Sequence, residues 1–212
     1  MEGARSVSIA LEQAPAAASE EAAFIAELQA GSEEAFAYLL TVYQHPVFNL
    51  VCHVVENPAD ASDVLQDVFV KVFKGIHGFK GDSSLRTWIY RIAVHEASNH
   101  RRSWVRRHWH EPVSTDDTES PSAAVATEAA SREQSPYQVM EQAEREMVVK
   151  RALASLAPPY RTAVVLREIE GLSYEEIAQV LGVAEGTVKS RLLRGRELLR
   201  RKLAGYVGKE HV

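Results

Sequence analysis

The 212-residue chain contains little from which a membrane protein or a disulfide-stabilised protein could be built. Its one cysteine, Cys52, lies in an apolar run, which favours a buried thiol over a redox role. No stretch approaches the roughly 18 uninterrupted apolar residues of a membrane span. The N-terminus lacks the basic-then-apolar pattern of a signal peptide. We therefore expect a soluble, cytoplasmic protein.

The sequence also lacks the patterns that enzymes use. We find no carboxylate, Cys/His or glycine-rich phosphate constellation at a convincing spacing. His108 and His110 are close together, but no further ligands accompany them at zinc spacing. We expect no catalytic residue, no metal, no cofactor and no small-molecule substrate. An enzyme that acts on nucleic acid is the alternative that would need such a constellation.

The formal net charge of −5 hides an uneven distribution of charge. Residues 80–109 carry seven basic side chains against two acidic ones, and residues 184–204 carry the same excess. Between these patches, residues 111–146 carry nine acidic side chains against two arginines. Two basic segments in an acidic chain are compatible with a nucleic-acid-binding protein.

Helical periodicity and its interruptions predict an all-α chain of two small domains joined by a flexible linker. Residues 1–20 read as a disordered tail and 21–109 as a first bundle of about four helices. Residues 110–136 are rich in Ser, Thr, Pro and acids, as in a flexible linker, and helical periodicity resumes over 137–207. Asn57 followed by Pro58 is a typical helix start.

The segment 172–203 has the pattern of a helix-turn-helix. Ser173 and Glu176 form a capping box, Gly182 supplies the turn, and Val188 and Leu192 give the second helix a buried side. The other side of that helix offers residue types that suit DNA bases and phosphates: Glu185, Thr187, Lys189, Ser190, Arg191 and Arg194. A recognition helix in the major groove is the functional interpretation, and a helical hairpin with a solvated basic face is the alternative.

Two further segments, 60–76 and 79–102, point to binding. In the first, six apolar residues at three- and four-residue steps predict a face in the core: Val64, Leu65, Val68, Phe69, Val72 and Phe73. The opposite side combines the exposed Val70 with polar residues, which favours a partner-binding helix over a merely solvated face. The second segment mixes aromatic and basic side chains, as single-stranded DNA requires. Helical spacing favours a core position for Trp88 within it.

These segments resemble the extracytoplasmic-function sigma factors of bacterial RNA polymerase. Three stretches carry the resemblance: DASDVLQDVFVKVFKGI (60–76), FKGDSSLRTWIYRIAVHEASNHRR (79–102) and GTVKSRL (186–192). It implies a protein that binds core RNA polymerase, at the largest-subunit clamp and the beta flap, and directs it to promoter DNA. It also implies an anti-sigma factor that holds the protein inactive, in some cases at the inner membrane. A stand-alone helix-turn-helix regulator is the alternative.

The resemblance assigns residues to three surfaces. The polymerase-binding residues are Asp63, Gln66, Asp67 and Phe69, although periodicity turns Phe69 inward. The residues for the minus-ten promoter element are Phe79, Lys80, Arg91, His95, Asn99, Arg101 and Arg102. The residues for the minus-thirty-five element are Glu185, Gly186, Thr187, Lys189, Ser190, Arg191 and Arg194.

His95 departs from the family pattern, which commonly has Asn at this position. Both side chains can hydrogen-bond a base edge, but imidazole differs in shape and titrates near neutral pH. A contact that sets minus-ten base preference and a histidine without a role are both open here.

Overall fold

A computed structural model describes residues 19–55, 57–108 and 136–207. Within these ranges the chain has helices and turns and no strand, which confirms the expected all-α class. The helices are α1 (residues 19–29), α2 (Glu33–Val54), α3 (Ala61–Gly75), α4 (Leu85–His108), α5 (Pro136–Ala154), α6 (Pro158–Val164), α7 (Tyr174–Leu181) and α8 (Glu185–Val207). None of these described helices has the length and apolar character needed to cross a membrane.

The described part of α1 is already helical at residue 19, and α5 begins at Pro136. Residues 1–18 of the predicted tail and residues 110–135 of the predicted linker lie outside the described residues.

Side-chain caps fix the starts of three helical segments. Ser32 Oγ accepts a hydrogen bond from the Ala35 amide over 3.2 Å at the start of α2. Asn57 Oδ1 accepts one from the Ala59 amide over 3.1 Å, at the 3-10 turn that leads into α3. The predicted capping box of α7 is also present. Such caps satisfy amides that have no partner inside the helix.

The first bundle packs α2, α3 and α4 around a core to which α3 contributes one column of side chains. Val64, Val68 and Val72 are each no more than 2 % exposed. The prediction that all six apolar residues of this helix enter the core is wrong for Phe73, which is 56 % exposed, while Leu65 and Phe69 are half-buried. The apolar face of α3 is wider than the area that α2 and α4 cover. Its second column, four residues apart, therefore faces outward.

The second bundle ends in the predicted helix-turn-helix. Gly182 ends α7 in the left-handed conformation (φ 63°), which a residue without a Cβ adopts without strain. Helix α8 buries Val188 and Leu192, as expected. It also crosses α6 so closely that a Cβ at Gly195 would lie 2.6 Å from the Val164 side chain.

The two bundles pack against each other. Helix α4 lies along α7, the first helix of the helix-turn-helix, and α2 contacts α6. Buried apolar side chains from both bundles belong to one connected cluster. The sequence left this arrangement open, because its two helical segments gave no sign of whether they meet.

Candidate polymerase and promoter surfaces

The outward column of α3 forms one wall of an apolar groove of about 500 Å³. The other wall is α2, and the two helices contribute Phe36, Leu40, Leu65, Phe69, Val70 and Phe73. The rings of Phe36 and Phe73 meet with their centroids 4.7 Å apart. Leu40, Val70 and Phe73 are each at least 40 % exposed. An exposed apolar patch of this kind marks a binding surface.

The four predicted polymerase-binding residues divide between this groove and its surroundings. Gln66 and Phe69 line the groove, whereas Asp63 and Asp67 are exposed on the same helix and do not line it. Sequence reasoning missed Phe73 and the α2 wall. The available signal was an apolar stripe with more residues than one buried face needs.

A chain of polar contacts joins α3 to the exposed side of α4. Lys71 Nζ lies 2.6 Å from Glu96 Oε2, and His95 Nδ1 lies 2.9 Å from Glu96 Oε1. Asn99 Nδ2 lies 3.4 Å from His95 Nε2, and Arg102 Nη2 donates to Asn99 Oδ1 over 2.6 Å. Three predicted minus-ten residues, His95, Asn99 and Arg102, are therefore neighbours in one chain of contacts.

Glu96 is the centre of this chain. Burial raises the pKa of its carboxyl, but hydrogen bonds from Lys71 and His95 outweigh that effect and hold the pKa below its ordinary value. A carboxylate is acceptor-only, so the Nδ1 atom of His95 donates to it. Sequence reasoning missed Glu96 and Lys71, because no spacing rule connects residues on two different helices.

The C-terminal part of α4 carries a basic hollow. Asn99, Arg101, Arg102 and Arg106 line it together with Ser103 and Val105. Two predicted phosphate-binding arginines, Arg101 and Arg102, thus lie beside Asn99. The arrangement can hold an anionic backbone next to a base-reading amide.

The loop before α4 is anchored from α1. The side-chain amide of Gln29 donates to the Phe79 carbonyl over 2.9 Å and to the Ile76 carbonyl over 3.2 Å. The Phe79 ring packs on Trp88, with centroids 5.2 Å apart, and both residues are half-buried. Lys80 is exposed. The predicted base-binding ring of Phe79 is therefore already partly covered by Trp88.

Helix α8 presents the predicted minus-thirty-five residues. Five of the seven are exposed (Glu185, Gly186, Lys189, Ser190 and Arg194), and Thr187 and Arg191 are half-buried. Lys189 Nζ lies 3.8 Å from Glu185 Oε2, one turn away. Sequence reasoning missed Leu193, which is 73 % exposed beside Arg194.

One predicted minus-ten residue takes part in the contact between the bundles. Arg91 Nε donates to the Gln179 carbonyl of α7 over 3.1 Å. Tyr90, the preceding residue of α4, donates to Glu170 Oε2 over 2.5 Å, and Arg86, more than one turn earlier, donates to the Glu170 carbonyl. Burial, as the main cause, raises the pKa of both Tyr90 and Glu170. The N-terminal half of α4 is thus engaged by the second bundle.

Comparison with protein families divides the chain in the same way. Residues 39–107 match Sigma-70 region 2, and residues 146–199 match Sigma-70 region 4. The groove and α4 fall in the first match, and the helix-turn-helix falls in the second. Fold and surfaces thus define a promoter-specificity subunit of the Sigma-70 type.

Similar proteins narrow this class. The RNA polymerase sigma-H factor of Pseudomonas aeruginosa is 37 % identical over 84 % of this chain and 91 % of that protein. The ECF RNA polymerase sigma-E factor of Escherichia coli K12 is also 37 % identical, over 84 % of this chain and 92 % of that protein. The chain therefore belongs to the extracytoplasmic-function (ECF) family of RNA polymerase sigma factors. It is a transcription initiation factor rather than an enzyme, and the stand-alone regulator is not favoured.

Solved structures show the same fold. The sigma factor RpoE in complex with the anti-sigma factor NepR, from Bartonella quintana, matches with a TM-score of 0.61 and 25 % identity. That match covers 80 % of this chain and 96 % of the solved chain. CnrH, solved in complex with the cytosolic domain of CnrY, matches with a TM-score of 0.61 and 22 % identity over 87 % of this chain and 97 % of that chain.

Proposed function

We propose that three surfaces of this sigma factor divide the work of initiation. The groove between α2 and α3 binds core polymerase, α4 opens and reads the minus-ten element, and α8 reads the minus-thirty-five element as duplex. In this assignment residues 21–109 act as region 2, residues 110–136 as the linker and residues 137–207 as region 4. The observation that carries the proposal is the separation of an apolar groove on α3 from a polar, basic face on α4.

The groove suits a helical partner. Grooves lined by apolar side chains from two helices bind the apolar face of a third helix. The exposed ring of Phe73 and the acidic residues Asp63 and Asp67 beside the groove provide an aromatic anchor and a polar rim. The resemblance to the family makes the clamp of the largest polymerase subunit the partner here.

The exposed face of α4 carries groups that can bind a DNA strand displaced from the duplex. Taking a base out of a duplex costs a few kcal/mol, which contacts to the freed base must return. His95 and Asn99 offer hydrogen-bonding groups for base edges, and Arg101 and Arg102 offer charge for the backbone. Because His95 replaces the usual Asn, we infer that it alters the base preference at its position.

The test is reconstitution with core polymerase and a library of randomised promoters. We expect promoter-specific transcription from the full chain. Truncating an aromatic anchor costs 2 kcal/mol or more, so Phe73→Ala should weaken core binding about 30-fold. Tyr38→Ala is the matched control, because Tyr38 is an equally exposed aromatic residue of α2 that does not line the groove. If the full chain fails to bind core polymerase, the proposal is wrong.

The two solved relatives suggest how the protein is regulated. RpoE was solved with the anti-sigma factor NepR bound, and CnrH was solved with the cytosolic domain of CnrY bound. We infer that an anti-sigma factor also binds this chain, covers the α2–α3 groove and keeps the protein in the cytoplasm or at the inner membrane. An anti-sigma factor that binds the chain should then compete with core polymerase and lose affinity for Phe73→Ala. Simultaneous binding of both partners would contradict the inference.

A further inference from the structure

Glu170 is a buried carboxylate with partners on the other bundle. It follows the π-helical turn after α6 and is 8 % exposed. Its Oε2 atom accepts a hydrogen bond from the hydroxyl of Tyr90 on α4, which is itself 1 % exposed. Burying a carboxylate is costly unless it is hydrogen-bonded. The position of Glu170 is therefore favourable while α4 stays in place.

Two arginines of α4 extend this contact. The guanidinium of Arg86 lies over the Tyr90 ring, 5.2 Å from its centroid, and donates to the Glu170 carbonyl. Arg91 donates to the Gln179 carbonyl one helix further along the second bundle. Hydrogen bonds to buried or charged groups are directional, so they fix the relative position of the bundles more strictly than apolar contact does.

The packed arrangement conflicts with what a promoter requires. The minus-ten and minus-thirty-five elements are named for positions about 25 base pairs apart, which is about 85 Å at about 3.4 Å per base pair. Helices that pack against each other have axes only about 8–10 Å apart. Since α4 packs directly on α7, which leads into α8, the packed chain cannot place its two reading helices on both elements at once.

The connection between the bundles is long enough for them to separate. Between His108 and Pro136 the chain has 27 residues. A chain of that length can reach at most about 90–97 Å at about 3.3–3.6 Å per residue. The distance between the promoter elements is therefore within the reach of the chain once α4 and α7 part.

We propose that Arg86, Tyr90 and Arg91 of α4, with Glu170 and Gln179, form an interdomain latch that closes the free sigma factor. While the latch is closed, the two helices proposed to read DNA cannot bind their promoter elements at the same time. Binding to core polymerase opens the latch. Arg91 serves in both states, because it bonds the Gln179 carbonyl while the latch is closed and its whole guanidinium faces promoter DNA once α4 and α7 part. The effect of the latch on promoter binding rests on the proposed function. The closure of the free chain rests only on the contacts between α4 and the second bundle.

The first experiment measures the distance between the bundles in the free, full-length chain. Fluorescent labels are placed by Ala59→Cys and Ala204→Cys, both exposed positions, with Cys52→Ser to remove the native thiol. We expect one short distance. Tyr90→Phe removes the hydroxyl alone, and Glu170→Ala removes the acceptor. Losing a hydrogen bond to a charged group should raise the ratio of open to closed molecules about 10- to 100-fold.

Controls separate the latch from general damage. Tyr38→Phe makes the same chemical change at an exposed site and should leave the distance unchanged. Circular dichroism should show the same helix content in all variants. The double variant Tyr90→Phe, Glu170→Ala should be no more open than the stronger single variant, because the two side chains share one bond. Additive effects, an unchanged distance in the single variants, or an open wild-type chain would each overturn the latch.

The second experiment adds core polymerase to the labelled chain. We expect the short distance to be replaced by one several times longer. If core polymerase binds and the short distance persists, the opening step is wrong. If core polymerase does not bind, the proposed function fails, but the distances in the free chain still decide whether the latch exists.

Discussion

The two helices that we propose read DNA, α4 and α8, differ in how their surfaces are assembled. Helix α8 owes its surface to one continuous segment, in which a capped helix, a glycine turn and two buried residues decide what faces outward. Helix α4 owes its surface to partners elsewhere in the chain, including Lys71 on α3. A recognition surface built from local motifs can therefore be predicted from the sequence. One built from contacts between helices can be found only in the structure.

The largest effect we expect separates the inside of α8 from its outside. Leu192 is 1 % exposed and Leu193 is 73 % exposed. Leu192→Ala should lower the free energy of unfolding by about 2–5 kcal/mol, because it leaves a cavity in the core. Leu193→Ala should change it by less than about 0.5 kcal/mol. Urea unfolding of the full chain measures both, and equal losses would mean that α8 is not oriented as described.

The second prediction tests whether the two surfaces act on different DNA. Arg191→Ala should weaken binding of the holoenzyme to minus-thirty-five duplex by about 5- to 150-fold, the value of one good base contact of about 1–3 kcal/mol. His95→Ala should change base preference in the minus-ten element and leave duplex binding intact. Promoter-library transcription reads both effects. Loss of the same promoter positions in the two variants would contradict separate reading.

The third prediction weakens the local support of the helix-turn-helix. Ser173→Ala removes the side-chain oxygen that accepts from the Glu176 amide over 3.1 Å. The free energy of unfolding should fall by about 1 kcal/mol, within a range of about 0.5–2 kcal/mol. Ser173→Asp is the matched control, because aspartate also caps helices, and it should keep most of the stability. A loss as large with aspartate as with alanine would argue against capping.

The smallest expected effect concerns the cross-helix support of α4. Because the pKa of Glu96 is lowered in the folded chain, its carboxylate stabilises the fold at neutral pH. That contribution is lost as the pH falls below its ordinary value of 4.5 and through the lowered pKa. Glu96→Gln should therefore cost up to about 1 kcal/mol at pH 7, and the difference from wild type should vanish in acid. A difference independent of pH would show that charge is not the cause.

Much of the fold followed from the sequence because its signals are local. The caps at Asn57 and Ser173 and the turn at Gly182 each depend on residues within a few positions of one another. The helix-turn-helix and the buried pair Val188 and Leu192 followed from the same kind of signal, and the structure confirms them.

The features that the sequence did not give depend on distant residues. Tyr90 and Glu170 are 80 positions apart, and nothing near either residue indicates the other. The groove was missed for a related reason. Periodicity showed that Phe73 lies on the apolar side of α3, but it could not show that the neighbouring helices leave that part of the stripe uncovered.

The close crossing of α8 over α6 connects Gly195 to the proposed base-reading residues of α8. Any side chain at this position would press on Val164 and on the Tyr160 carbonyl, and the recognition helix would tilt to relieve the contact. Arg191 and Arg194, at most one turn away, would then meet different base pairs without having changed themselves. A substitution at Gly195, which is not among the proposed DNA-reading residues, would then change which promoters the factor selects.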